Sequence, residues 1–110
     1  MSEKKESDIE TYLRKQSEKK GFMCMKFISP GTNGVPDRIL IGHGQTIFIE
    51  TKAPGKKQRI LQEKISECMI RHGAKIFVID TKEKADRLLQ KLIQNEKKET
   101  DINEKIQKNI

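Results

Sequence analysis

Two runs, Arg38–Ile41 (RILI) and Gln45–Lys52 (QTIFIETK), flank Gly42-His43-Gly44, and this pairing constrains the chain more than any other feature. Dense β-branched and aromatic residues on either side of a glycine-bounded turn read as a β-hairpin. A lone hairpin is marginally stable in water, so the rest of the chain must cover it. Phe22–Ile28 and Lys75–Asp80 (KIFVID) supply two further apolar runs of strand length. Pro30, Gly31, Asn33, Gly34 and Pro36 punctuate a loop between the first strand and the hairpin.

Helical periodicity fills the remaining stretches. Ser7-Asp8-Ile9-Glu10 has the S-x-x-E form of a capping box, with Ile9, Tyr12 and Leu13 at helical spacing and Gly21 as a stop. After a basic loop from Ala53 to Lys57, a helix from Gln58 presents Leu61, Ile65, Cys68, Met69 and His72 on one face and ends at Gly73. Thr81 can cap a last helix through about Gln94, with Ala85, Leu88, Leu89 and Leu92 turned inward. The order is α-β-β-β-α-β-α, an α/β domain over residues 1–94 with helices packed on the sheet. Residues 95–110 form a charged tail in which Ile102, Ile106 and Ile110 recur every fourth residue. A marginal helix, a docking segment and a frayed end all fit that pattern.

At 110 residues the chain is one domain, able to bury about two-thirds of its unfolded surface around a single core. Lys and Arg number 23 against 16 Asp and Glu, a net charge of +7, which makes a polyanion the first partner to consider. Aromatic residues make up 5% with no Trp, which argues against single-strand binding by base stacking. Cys24 and Cys68 share no ligand spacing with each other or with His43 and His72, so they read as buried free thiols and not as a zinc site. No apolar segment reaches transmembrane length and none resembles a cleaved leader, so a cytoplasmic protein with no membrane partner is expected.

The chemistry concentrates at the hairpin's open end. Along a strand Glu50 and Lys52 share a face while Thr51 points away, and Asp37 opens the partner strand close by. Two carboxylates in one place raise each other's pKa unless a cation lies between them. A hard divalent ion such as Mg²⁺ favours those oxygens, and Lys52 beside it can align or deprotonate an attacking water. Singly these residues are unremarkable: Pro-Asp is common in turns and Glu-x-Lys on solvated strands. Together, on adjoining strands of a basic domain, they suit phosphodiester hydrolysis.

Gly34-Val35-Pro36-Asp37-Arg38, then Phe48-Ile49-Glu50-Thr51-Lys52-Ala53-Pro54-Gly55, then Gln62, closely resembles the VRR-NUC (virus-type replication-repair nuclease) family of PD-(D/E)XK nucleases. The resemblance runs from Ile9 to about Leu89 and implies a restriction-endonuclease-like core with a mixed four-stranded sheet. It implies that Asp37 and Glu50 are metal ligands, that Lys52 is the catalytic lysine, and that Thr51 lends its backbone carbonyl while its side chain is free to vary. Glu10 matches the first-helix acid, with helix capping as its rival role and Glu6 as its substitute. Gln62 matches the helix glutamine, with Gln58 as its substitute and an exposed polar helix residue as the plain alternative.

Lys26, Ser29 and Arg38 around the entrance loop, and Lys56 and Lys57 after the catalytic strand, are expected to hold phosphates, with Thr32, Asn33 and Arg59 nearby. The implied activity is Mg²⁺- or Mn²⁺-dependent DNA endonuclease action on four-way or other branched DNA. It also implies a homodimer in the cytoplasm of a bacterial or phage-infected cell. The first helix and the isoleucine tail are the candidate dimer surfaces. A nuclease for flaps, nicks or ends, and a non-cleaving DNA-binding module, are the alternatives.

Overall fold

A computed structural model describes residues 6–56 and 58–108, with 97–108 as helical backbone. Its elements run α1 (Glu6–Lys19), β1 (Met23–Lys26), β2 (Arg38–Gly42), β3 (Gln45–Thr51), α2 (Ile60–Arg71), β4 (Ile76–Ile79) and α3 (Lys82–Lys108). The expected order and fold class hold. The strands lie side by side as β1-β2-β3-β4, with the first two pairings antiparallel and β3–β4 parallel. A parallel neighbour cannot be reached by a tight turn, so α2 serves as the crossover.

The hairpin closes through His43 and Gly44 alone, with φ of 51° and 76°, while Gly42 pairs with Gln45. Positive φ at both central residues is the turn whose twist matches that of the strands. Gly42 is required for a different reason: a Cβ there would lie 2.6 Å from Phe22 Cδ1. Gly21, at φ 85°, ends α1 as expected, and the Phe22 N–H donates to the Ser17 carbonyl at 2.9 Å across the stop.

Register sorts the strand residues onto two faces. Cys24, Leu40 and Ile47 lie opposite one another, as do Lys26, Arg38, Ile49 and Phe77, and all belong to the face covered by α1 and α3. There Leu40, Ile47 and Ile49 meet Ile9, Leu13, Ala85, Leu88, Leu89 and Leu92 in the core. Each fully buried side chain of this kind contributes about 1.5–3 kcal/mol. Tyr12 of α1 donates to Asp86 of α3 at 2.9 Å, and the Thr81 hydroxyl caps α3 by accepting from the Lys84 N–H at 3.1 Å.

The other face is largely open. Met23, Met25, Ile41 and Val78 are 57, 40, 37 and 41% exposed. α2 does not bury the apolar stripe expected of it: Leu61 is half exposed, His72 exposed, and Ser66 is the helix's one buried residue. The reason is position, since α2 meets the rest of the domain near the strand ends, where Leu61 and Ile65 pack on Gly34. A Cβ on Gly34 would lie 3.0–3.2 Å from those two residues, and its φ of 88° also favours glycine. That contact holds the Gly34-Val35-Pro36-Asp37 loop under α2.

Four further expectations are corrected. α1 already includes Glu6, so Ser7 lies inside the helix and does not cap it. Ile9 and Leu13 are fully buried, so the first helix offers no apolar dimer surface through them. α3 continues past Gln94 to Lys108 as one helix, with no break where the tail was expected to begin; Ile110 lies outside the described residues. Cys24 and Cys68 are free thiols but only partly buried, and burial still pushes the Cys24 thiol above its usual pKa.

Candidate active site

The polar groups converge at the C-terminal end of β3, from both faces of the sheet. Thr51 lies on the face that α1 covers, so its side chain meets Glu10. Glu50 lies on the opposite face, under the N-terminus of α2, so its side chain meets Gln62 and Lys52. Asp37, just before β2, stands between them. The resulting cleft has a volume of about 410 Å³ and is lined by acids (Glu6, Glu10, Asp37, Glu50), by cations (Lys26, Arg38, Lys52, Arg59) and by Gln62, with Phe27 and Ile28 at its wall.

On the α1 side, the Thr51 N–H donates to Asp37 Oδ1 at 2.9 Å. The Thr51 hydroxyl lies 2.5 Å from Asp37 Oδ2 and 3.1 Å from Glu10 Oε1. Arg38 donates to the second Glu10 oxygen at 3.3 Å. Carboxylate oxygens of Glu6, Glu10 and Asp37 all lie within 4.8 Å of one another. Burial pushes the Asp37 carboxyl above its ordinary pKa; its bonds from Thr51 oppose this, and neighbouring Glu10 adds to it. Burial also pushes Glu10 upward, but hydrogen bonds from Asp37, Thr51 and Arg38 outweigh it and leave Glu10 below its usual value. The two environments therefore push the pair in opposite directions, Asp37 up and Glu10 down.

On the α2 side, Gln62 uses both ends of its amide. Its Oε1 accepts from Lys52 Nζ at 2.9 Å and from the Arg59 N–H at 3.1 Å, while its Nε2 donates to Glu50 Oε1 at 3.1 Å. One side chain thus fixes the start of α2 and the acid–base pair of β3. Lys52 Nζ lies 3.2 Å from the same Glu50 oxygen, with both side chains largely buried. Burial and then the charge of Asp37 push Glu50 above its ordinary pKa, against the pull of Lys52.

The structure brings Glu10, Asp37, Glu50, Thr51, Lys52 and Gln62 to one place. It engages Gln62 rather than Gln58, and it brings in both Glu6 and Glu10, which are one helical turn apart. The capping role weighed for Glu10 gives way to these tertiary contacts. Two expectations change. The Thr51 side chain is wholly buried and bonded to both neighbouring acids, so it is not a free position. Arg38 is 8% exposed and paired with Glu10, a cation built into the wall and not a surface clamp. Lys26 lines the cleft, whereas Ser29 and Lys56 do not; Arg59 lines it instead, and Lys57 lies outside the described residues.

The donor set suits a hard divalent cation. It consists of oxygens, carries negative charge, and holds two carboxyls whose pKa is raised first by burial and then by a neighbouring acid, which a bound cation would offset. No family model matches the chain. Over 80 residues it is 36% identical to "Putative nuclease p44" of Acyrthosiphon pisum secondary endosymbiont phage 1, an alignment covering 72% of this chain and 86% of that protein. A solved VRR-NUC domain superposes with a TM-score of 0.71 at 26% identity, covering 77% of this chain and 94% of that one.

The chain belongs to the VRR-NUC nuclease family. The family name comes from the solved domain that shares the fold, and the phage relative, named as a nuclease, agrees with it in identity and coverage. Among the described residues of this VRR-NUC chain, no helix is long and apolar enough to cross a membrane.

Proposed function

We propose that this VRR-NUC protein is a Mg²⁺- or Mn²⁺-dependent DNA endonuclease that cuts branched, junction-like DNA as a homodimer. The observation that carries the chemistry is the convergence of Glu10, Asp37 and Glu50 with a lysine locked by Gln62 at one strand end. Asp37, Glu50 and Glu10 would hold the ion, with the Thr51 carbonyl and Glu6 at its edge. When bound, such an ion supplies positive charge against the phosphoryl oxygens and acidifies water.

The protein's own groups define the rest. Lys52 Nζ, fixed by Glu50 and Gln62, is a donor that orients water for in-line attack on phosphorus. Lys26 and Arg59 stand on the cleft wall where phosphates flanking the scissile bond would pass. Arg38 holds Glu10 in place from below. The exposed apolar face bearing Met23, Met25 and Ile41 is the surface we assign to dimerisation, because the apolar residues of α1 are spent in the core. Two copies related by a two-fold axis would bring two cutting sites to a symmetric junction.

The test compares a fixed four-way junction with matched linear duplex, in Mg²⁺, in Mn²⁺ and in chelator, alongside Glu50→Gln. Paired nicks at the branch point, dependent on metal and absent in the variant, are expected. Equal cutting of linear duplex, nicks, flaps or ends would remove the junction preference and keep the nuclease. Binding without cutting under every condition would favour a non-catalytic module.

A further inference from the structure

We infer that the Thr51 hydroxyl is a positioning group that joins the first-helix acid to the strand acid and so assembles the cation site. This rests on the metal-dependent reading above and assigns a role to a side chain that is wholly buried.

Three observations carry it. First, Thr51 is wholly buried, and its hydroxyl stands between carboxylates from two different elements: Glu10 of α1 at 3.1 Å and Asp37 of the β2 approach at 2.5 Å. Secondly, the Thr51 N–H donates to the other Asp37 oxygen at 2.9 Å, so a single residue fixes both oxygens of Asp37 and thereby the rotation of its carboxylate plane. Thirdly, Glu10 is held from both ends as well, Oε1 by Thr51 and Oε2 by Arg38. α1 packs on α3 and the sheet through apolar contacts, which fix its depth but not the rotamer of an acid at its rim. The hydroxyl supplies that missing constraint.

Strand alternation explains why this residue can do it. Glu50 and Lys52 use the α2 face for chemistry, and Thr51 between them necessarily faces α1. A hydroxyl there can donate to an acid, while a β-branched methyl fills the core beside it. Groups that orient metal ligands typically cost about 10- to 100-fold in metal affinity or activity when removed.

The test titrates Mn²⁺ calorimetrically into the DNA-free chain at one pH, in wild type, Thr51→Val, Thr51→Ala and Thr51→Ser. Valine keeps the shape and loses the hydroxyl, alanine loses it while adding no atom that could clash, and serine retains it. The expected result is a weakening of about 10- to 100-fold in Val and Ala, with Ser restoring most of the affinity. On DNA, kcat should fall with KM little changed in the same two variants. Wild-type affinity in Val and Ala overturns the inference alone, as does a defect in Ser equal to that in Ala, which would mean the methyl matters. A wild-type chain that binds no Mn²⁺ overturns the metal reading and this inference with it.

Discussion

The two ends of the β2–β3 hairpin solve opposite problems. At the turn, His43 lies between an acceptor on each side: Nε2 is 2.6 Å from the Lys20 carbonyl and Nδ1 contacts the Glu96 carboxylate, with the ring 4.5 Å from Phe22. Those bonds, the Lys20 carbonyl first and Glu96 next, raise the His43 pKa, because an imidazolium can donate to both. The turn is thus satisfied from within and ties α1 and α3 to the sheet. At the open end, acids face acids, two of them with raised pKa, and Lys52 is shared by Glu50 and Gln62. One end spends its polar groups on holding elements together. The other buries acids close to one another, an arrangement that a cation would relieve and that is expected of a reactive site.

The sharpest way to break that contrast is to remove the open end's chemistry. Glu50→Gln and Asp37→Asn should drop DNA cleavage to background in a gel assay while much of the DNA binding remains. Cutting that survives in either would mean the wrong end has been assigned. Next in size is the support beneath it. Gly34→Ala forces a left-handed residue against Leu61 and Ile65 and should cost about 2 kcal/mol in chemical denaturation. Arg38→Met leaves Glu10 without its cation in a partly solvated wall and should cost about as much, below the roughly 3–5 kcal/mol of a deeply buried pair. A neutral outcome for Arg38 would show that Thr51 alone suffices to hold Glu10.

Smaller effects separate the rim from the turn. Lys26→Ala and Arg59→Ala should each weaken DNA binding across sequences and reduce the salt slope by about one unit. A slope unchanged in both would place the phosphates elsewhere. For the turn, the folded His43 pKa is raised, so its stabilisation is fully present below the unfolded value and is lost as pH rises through the folded one. Thermal melts of wild type and His43→Asn should therefore differ most in mild acid and converge in mild alkali. The open end is expected to run differently: a cation held by Asp37 and Glu50 would compete with protons for their oxygens, so metal affinity should fall as pH drops through their raised values.

Much of this was legible in the sequence, for local reasons. The hairpin, the helix stop at Gly21 and the Thr81 cap depend on residues a few positions apart, and Asp37, Glu50 and Lys52 lie on or next to the two strands of that one hairpin. What sequence reading missed depends on contacts between distant elements. The backbone-carbonyl role that the resemblance implies leaves the Thr51 side chain free, and strand alternation, which turns it from Glu50, says nothing of the helix on the other face. Arg38 looked like a phosphate clamp because its charge is visible and its burial against Glu10 is not. The α2 stripe looked like core because periodicity shows which residues share a face, not whether anything covers it.

The most direct test of the central claim, that the open end is built for a cation, is thermal unfolding of wild type and Glu50→Gln in chelator and in Mn²⁺ at neutral pH. With free Mn²⁺ about 100-fold above its dissociation constant, wild type should gain about 2.7 kcal/mol. The variant should melt at or above wild type in chelator and gain far less from the ion. Wild-type melts that coincide with and without Mn²⁺ and Mg²⁺, or a variant that is less stable in chelator and stabilised just as much, would contradict it.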